Sequence, residues 1–282
     1  MNKKIRQLIR RFHREWDGLW GRVLRHQLPL VKKSTQSGKE FGLESFSDFG
    51  YSKVTHFAQF QIIPIYATQV TSTCDLKVYQ DLMIYSFIIN NLAPGSRILE
   101  IGGGESRVIE CLKRDYEFWN LDKLEGKGFG PKKLLNPDGF ILVKDDIGNF
   151  SKKLPEAYFD LIYSISAIEH FLKDEKSCER ILSDMQRLLK PGGLSFHCID
   201  ALLFKDHLFV HPLVEKILTE VENAQSCLDF ATINTDPDLW VLSDYAYYTR
   251  WYHLTKKTIT TFGRPFSINI AWRRTLDKLT NN

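Results

Sequence analysis

The chain of 282 residues holds few cysteines: five, scattered at Cys74, Cys111, Cys178, Cys198 and Cys227. None forms a CxxC pair, which argues against a zinc ribbon or a redox pair. Several stand in apolar stretches, where cysteine acts as a small hydrophobe, and a reducing, cytoplasmic setting fits that usage. No apolar run approaches the roughly 18 residues that span a bilayer. The N-terminus lacks both an uninterrupted apolar core and a small-residue cleavage site, so it does not read as a signal peptide. Internal repeats and low-complexity tracts are missing too. Charge is nearly balanced at +4, well short of a nucleic-acid-binding profile.

What is present is ordinary globular composition: 43% apolar and 26% charged residues, enough for a core without disulfide or metal staples. The length allows one large domain or two small ones. The positive excess gathers in residues 1–40. There, Ile5, Leu8, Ile9, Phe12, Trp16, Leu19, Trp20, Val23 and Leu24 recur at helical spacing opposite Arg and Lys. Residues 3–25 are therefore expected to form an amphipathic helix. Three roles stay open for it: packing on the domain as a cofactor lid, peripheral contact with an anionic membrane surface, or dimerisation. Packing is the plainest.

Residues 31–56 read as a loop, and Leu76–Asn90 as a helix ending before Pro94-Gly95. From Arg97 a regular alternation begins. Strands are expected at Arg97–Ile101, Glu117–Leu121, Phe140–Val143, Phe159–Ile165 and Leu194–Ile199. Helices are expected at Ser106–Arg114 and Lys176–Leu189, the second ended by Lys190-Pro191-Gly192-Gly193. Such alternation specifies an α/β fold with a Rossmann-like, doubly wound, mostly parallel sheet and helices on both faces. After Asp200 come an expected helix at Leu208–Val221, an aromatic-rich stretch around Trp240–Tyr252, and a final strand at Phe266–Trp272, expected to be antiparallel. This divides the chain into an N-terminal helical cap and lead-in (1–93) and a main domain (94–282) with an aromatic substrate cover at about 201–260.

The sequence Arg97-Ile-Leu-Glu-Ile-Gly-Gly-Gly-Glu-Ser106 puts an acid, a spacer and Gly-x-Gly at a strand end before a helix. Gly102 and Gly104 allow a tight turn and close approach of backbone to a ligand. Dinucleotide sites place a third glycine three residues further on; Arg107 stands there instead, which argues against a nicotinamide dehydrogenase. Asp122 lies about 20 residues past the first glycine, where an acid binds ribose hydroxyls. At the end of the third strand, Asp145 or Asp146 is placed to accept from an adenine amino group, with Ile147 packing on the ring; the other acid is then a surface charge. The plain alternatives are a simple tight turn for the glycines and a solvated loop acid for Asp122.

Three segments in series, Ile98-Leu-Glu-Ile-Gly-Gly-Gly104, Phe159-Asp-Leu-Ile-Tyr-Ser-Ile-Ser-Ala-Ile-Glu-His-Phe171 and Leu188-Leu-Lys-Pro-Gly-Gly-Leu194, resemble successive motifs of class I S-adenosylmethionine-dependent methyltransferases. The resemblance covers about residues 94–200. It implies S-adenosylmethionine as cofactor. Glu100 and the backbone of Gly102, Gly103 and Gly104 would hold its amino-acid part, Asp122 its ribose, and Asp145 or Asp146 with Ile147 its adenine. Ser164 and Ile165 would touch it through backbone groups. The implied activity is methyl transfer to a small organic or sugar-containing acceptor; the alternative is a non-catalytic binder of the same cofactor. Ser164-Ile-Ser-Ala167 stands where base-amino methyltransferases carry Asn/Asp-Pro-Pro-Tyr/Phe, so no nucleic-acid acceptor is expected.

His170 is the candidate general base, weighed against a Glu169-His170 pair kept for structure. Ubiquinone-pathway O-methyltransferases carry a metal-binding acid three residues before that Glu. Here the position is Ser166, and no metal is expected. His197, Cys198, Asp200, His207 and His211 make a second cluster. His207 and His211 would share a helix face, but His197 and Cys198 adjoin on a strand and point apart. The acceptor is expected over the ends of the fourth and fifth strands, covered by Trp240–Tyr252 with help from the N-terminal helix and Tyr79 or Tyr85.

Overall fold

Runs of Ile, Leu, Val and Phe with few charges favour strands of a parallel sheet, and this chain has five in succession. In the computed structural model, which describes residues 50–61, 71–126, 130–135, 137–171, 174–205, 207–211, 214, 217 and 230–274, they form a parallel sheet. The strands are β1 (Arg97–Ile101), β2 (Glu117–Leu121), β3 (Ile141–Val143), β4 (Phe159–Ile165) and β5 (Leu189–Phe204). β1 pairs with β2 on one side and β4 on the other, so the order reverses at the β1/β4 boundary. In open α/β sheets that boundary is where a crevice opens at the carboxyl ends of the strands. The expected helix at 3–25, the loop through residue 49 and most of Leu208–Val221 lie outside the described residues.

Side chains alternate across the sheet. Ile98, Phe118, Tyr163, Phe196 and Cys198 face one core, built with α1 (Leu76–Asn91) and α2 (Arg107–Leu112). Leu99, Ile101, Ile162, Ile199 and Ile270 face the other, built with α4 (Glu175–Leu188), where Cys178, Ile181, Met185 and Leu188 form the buried stripe. Asp174 starts α4 by accepting the Ser177 N–H at 2.7 Å. Between β4 and α4 a single turn, α3 (Ile168–Phe171), carries Glu169 and His170. α1 is buried almost all round, so Gln80, Asp81 and Ser86 go under with its apolar residues. Polar groups taken out of water must find partners, and these supply part of the site.

Beyond β5 the structure departs from expectation. Helix α4 stops at Leu188, and the chain enters β5 at once, passing through Lys190-Pro191-Gly192-Gly193 as strand. β5 runs 16 residues to Phe204, then doubles back as β6 (His207–Phe209). No helix starts at Leu208, since that residue pairs with Leu203. β7 (Arg264–Arg273) is antiparallel to β5, as expected, and longer than expected. Leu202 pairs with Pro265 of β7 and also with Phe209 of β6. β6 therefore lies on the side of β5 that β4 occupies lower down. β4 pairs only as far as Ile165–Cys198. Among the described residues, 199–201 of β5 have no strand on that side.

Candidate active site

The turn after β1 is shaped by steric limits. Gly102 and Gly104 sit at φ +68° and +50°, which L residues rarely adopt. Gly103 has an ordinary φ, but a Cβ there would lie 2.7 Å from Glu100 Cδ and 2.8 Å from Asn120 Oδ1. The glycines thus sit directly over two buried polar side chains. Glu100 receives the Tyr163 hydroxyl at 2.6 Å, and its carboxyl is pushed up to about 7, chiefly by burial. Asn120 donates to the Gly104 carbonyl at 3.0 Å, while its Oδ1 is buried with no partner among the described residues.

At the end of β2, Asp122 accepts the Gly104 N–H at 2.9 Å on one oxygen and the Leu124 N–H at 2.6 Å on the other. It therefore ties the glycine turn to the neighbouring strand. A carboxylate has about four lone-pair positions, so each oxygen can accept once more. Asp145 accepts its neighbour's N–H and the Asn149 amide, both at 2.8 Å, and its carboxyl is held low, first by Asn149. Asp146 is ion-paired with Lys123. Ile147 is buried at 4% exposure in the α4-side core, which leaves little of it to meet a ring. Arg107, where a third glycine would stand, pairs with buried Asp81 at 2.6 Å.

The ends of β4 and β5 carry a second group. The Ser164 hydroxyl is 2.8 Å from His197 Nδ1, and the Ser195 hydroxyl is 2.8 Å from Nε2. Both ring nitrogens are thus taken, and burial lowers the imidazole to about 3. His197 is structural, and Cys198 points to the opposite core. His207 lies on β6, so it shares no helix face with His211. Half-buried Ile165 packs against the α1-side core. Ser166 leaves the sheet at φ +44°, a strained conformation for a residue with a side chain. Its hydroxyl meets Gln80 Oε1 at 2.6 Å and also Asp200 Oδ1. Gln80 donates to Asp200 at 3.0 Å and to Ser267 at 3.2 Å, and Lys77 lies 3.6 Å from the other Asp200 oxygen.

Glu169 Oε1 accepts the Asp200 N–H at 3.1 Å, while Oε2 is buried with no partner among the described residues. Burial and then the Asp200 charge raise this carboxyl well above its ordinary range, against Lys77. His170 is exposed; its imidazole is held below its ordinary value by partial desolvation, then by Lys77. Lys77 and Gln80 had no motif to announce them, and Tyr163 stood within a motif without a role assigned to it. The one signal for the helix was the polar Gln80-Asp81 pair in a mostly apolar run.

The aromatic stretch reaches this edge, but its largest rings fill the core. Trp240 stacks on Tyr79 at 5.0 Å and 13°, and Tyr247 is fully buried. Trp251 donates to Asp75, just before α1, at 3.0 Å, and Arg250 pairs with the same carboxylate. Tyr245, Tyr248 and Tyr252 face solvent. Tyr247 therefore packs within the α1-side core.

Residues 99–197, from β1 into β5, match the family model described as a methyltransferase domain. The matched stretch includes the glycine turn and Glu169 and ends just before Asp200. No curated protein sequence matches the chain. Solved structures similar to it include phosphoethanolamine N-methyltransferase 2 of Haemonchus contortus, in complex with S-adenosyl-L-methionine, at 15% identity and a TM-score of 0.43 over 70% of this chain. The chain spans 52% of that enzyme's length. The YcgJ protein from Bacillus subtilis is 13% identical, covering 71% of this chain and 99% of that one at a TM-score of 0.44. The N-methyltransferase NodS from Bradyrhizobium japonicum, in complex with S-adenosyl-L-homocysteine, is 17% identical, covering 69% and 85% at a TM-score of 0.41.

Proposed function

We propose that this methyltransferase domain binds S-adenosylmethionine at the glycine turn and transfers its methyl group to a small-molecule acceptor seated at the ends of β4 and β5. The observation that carries the reading is the bare backbone of Gly102–Gly104, laid over Glu100 and an Asn120 oxygen that is buried without a partner among the described residues. A turn built so that no Cβ fits, with an unmet polar atom beneath it, suits a polar ligand held against main chain.

Glu100 and the Gly102–Gly104 backbone would hold the amino-acid part of the cofactor. Asp122 would take the ribose on its free lone pairs, Asp145 or Asp146 the adenine edge, and Ser164 and Ile165 would contribute backbone groups. When bound, the cofactor supplies an electrophilic methyl on a sulfonium, already a good leaving group. The chain's own task is to orient the acceptor and exclude water, and orientation of that kind supplies roughly 7–11 kcal/mol. Lys77, Ser166, Glu169 and Asp200 stand where the acceptor would be oriented, with His170 beside them at the surface.

Calorimetry with S-adenosylhomocysteine tests the cofactor. Binding at micromolar strength or tighter is expected; binding of NAD in its place would overturn the reading. Label passing from methyl-labelled cofactor to a small molecule is the matching test of activity, and its absence would leave only a binder.

A further inference from the structure

β5 continues past the end of β4, and the row that β4 leaves is resumed only by β6. In the interval, the Asp200 N–H is satisfied by a side chain, Glu169 Oε1, where a strand would otherwise stand. This fixes the Glu169 carboxyl at the end of the sheet, beside the Asp200 carboxylate. Asp200 is itself held by Gln80 and faces Lys77. The arrangement leaves one oxygen unused: Oε2 is buried and receives no donor among the described residues. An unmet acceptor in a buried place is costly, so it marks a position where a donor is expected.

We infer that Glu169 and Asp200 form an acceptor site for an amine that arrives as its ammonium ion, with Glu169 Oε2 as the atom that takes the proton. The inference rests on the methyl-transfer reading above. With Glu169 ionised, two carboxylates face one lysine, and the cluster is then short of both positive charge and N–H donors. A hydroxyl would bring a donor without charge; an ammonium brings both. The charged and titratable groups that act on Glu169 are Lys77 from α1 and Asp200 and Cys198 from β5; His170, on the same turn, feels Lys77 and Asp200. Burial and the Asp200 charge raise the Glu169 carboxyl to about 8, close to the range where a general base is most effective.

The step balances as follows. An N–H bond of the ammonium breaks and an O–H bond forms on Glu169 Oε2, leaving a neutral amine. Its lone pair forms the C–N bond as the C–S bond breaks, with the electron pair staying on sulfur. The product nitrogen carries the positive charge, and Glu169 releases its proton to solvent.

The test uses the full chain, methyl-deuterated S-adenosylmethionine and a small-molecule cell extract, with products read by mass spectrometry. Label on nitrogen is expected. Label on oxygen or carbon overturns the amine assignment and leaves methyl transfer standing. No labelled product, with S-adenosylhomocysteine still bound, overturns both. Glu169→Gln keeps a carbonyl oxygen for the Asp200 N–H and removes only the base. It should bind S-adenosylhomocysteine within about twofold of the parent, lose roughly 100-fold in kcat, and lose the acid limb of the pH profile. If Glu169→Gln keeps that limb and most of its turnover, Glu169 is a structural residue and the inference falls. Asp200→Asn gives a second reading: KM for the amine identified above should rise at least tenfold, and an unchanged KM would remove Asp200 from the site.

Discussion

Replacing Gly103 by alanine tests the core of the site with one methyl group. The new Cβ would stand 2.7 Å from Glu100 Cδ, 2.8 Å from Asn120 Oδ1 and 2.9 Å from Glu100 Cγ, where ordinary contacts begin at 3.4 Å. Neither neighbour can simply swing away. Glu100 is buried and held by Tyr163; Asn120 is fully buried and held by the Gly104 carbonyl. Overpacking of this kind costs about 1–3 kcal/mol, and losing the Asn120 hydrogen bond adds about 1. A loss near 3 kcal/mol corresponds to a fall in Tm of roughly 6–12 °C for a domain of this size. Because the clash lies under the turn proposed to hold the ligand, S-adenosylhomocysteine affinity should fall as well, beyond what the lost stability explains. Gly95→Ala is the control: its φ of +82° makes alanine strained, about 1–2 kcal/mol, but nothing lies within 4 Å and the site is remote. Scanning calorimetry gives Tm and titration calorimetry the affinity. A Gly103→Ala protein with parental Tm and parental affinity would refute the steric argument and the placement of the ligand with it.

Asp122→Ala should weaken S-adenosylhomocysteine by about 1–3 kcal/mol, the cost of deleting a hydrogen bond to a charged group, with unchanged titration calorimetry pointing to another ribose ligand. His197 stays neutral in the folded chain down to about pH 3, whereas the unfolded chain protonates it near 6.5. Its contribution is therefore complete above pH 6.5 and is lost as pH falls toward 3, by about 5 kcal/mol in total. Glu100 acts oppositely, because its raised carboxyl favours the fold below about pH 4.5 and loses that advantage as pH rises through about 7. Urea melts at pH 7 and 5 should thus show a smaller loss on acidification in His197→Gln than in the parent, and equal losses would rule the role out. His170→Ala should reduce kcat far less than Glu169→Gln in the same steady-state assay; the reverse ranking would restore His170 as the base.

The parallel half of the fold was legible because each of its elements is written locally. β1, β2 and β4 carry apolar runs bounded by turn residues, and their observed limits equal the expected ones. β5 was misjudged at both ends for one physical reason: its pairing is not local. Pro191 and the two glycines read as punctuation, yet Gly192 and Gly193 pair through their backbones with Arg274, far away in sequence. Past Ile199 the strand is held by β7, some 60 residues later, which no window of sequence displays. The glycine turn and its neighbours were legible for the same reason as the strands, since Glu100, the glycines and Asp122 sit at fixed offsets from strand ends. The cluster around Asp200 was not. Lys77 and Gln80 come from a helix before the first motif and meet Asp200 only in three dimensions. Trp240 and Tyr247 were read as a cover because of their composition, and the structure uses them to pack α1 and the edge beneath it.

The break in the row between β4 and β6 gives the protein a built-in reporter. In an unbroken sheet each amide is protected by a neighbouring main-chain carbonyl, which does not titrate. The Asp200 amide is protected by a carboxyl group, so its exchange with solvent deuterium should follow the state of Glu169: slow while the acid is held in place, faster when a ligand draws the carboxyl away. A single amide, followed by NMR or mass spectrometry, would then signal occupancy of the site without any knowledge of the molecule that fills it.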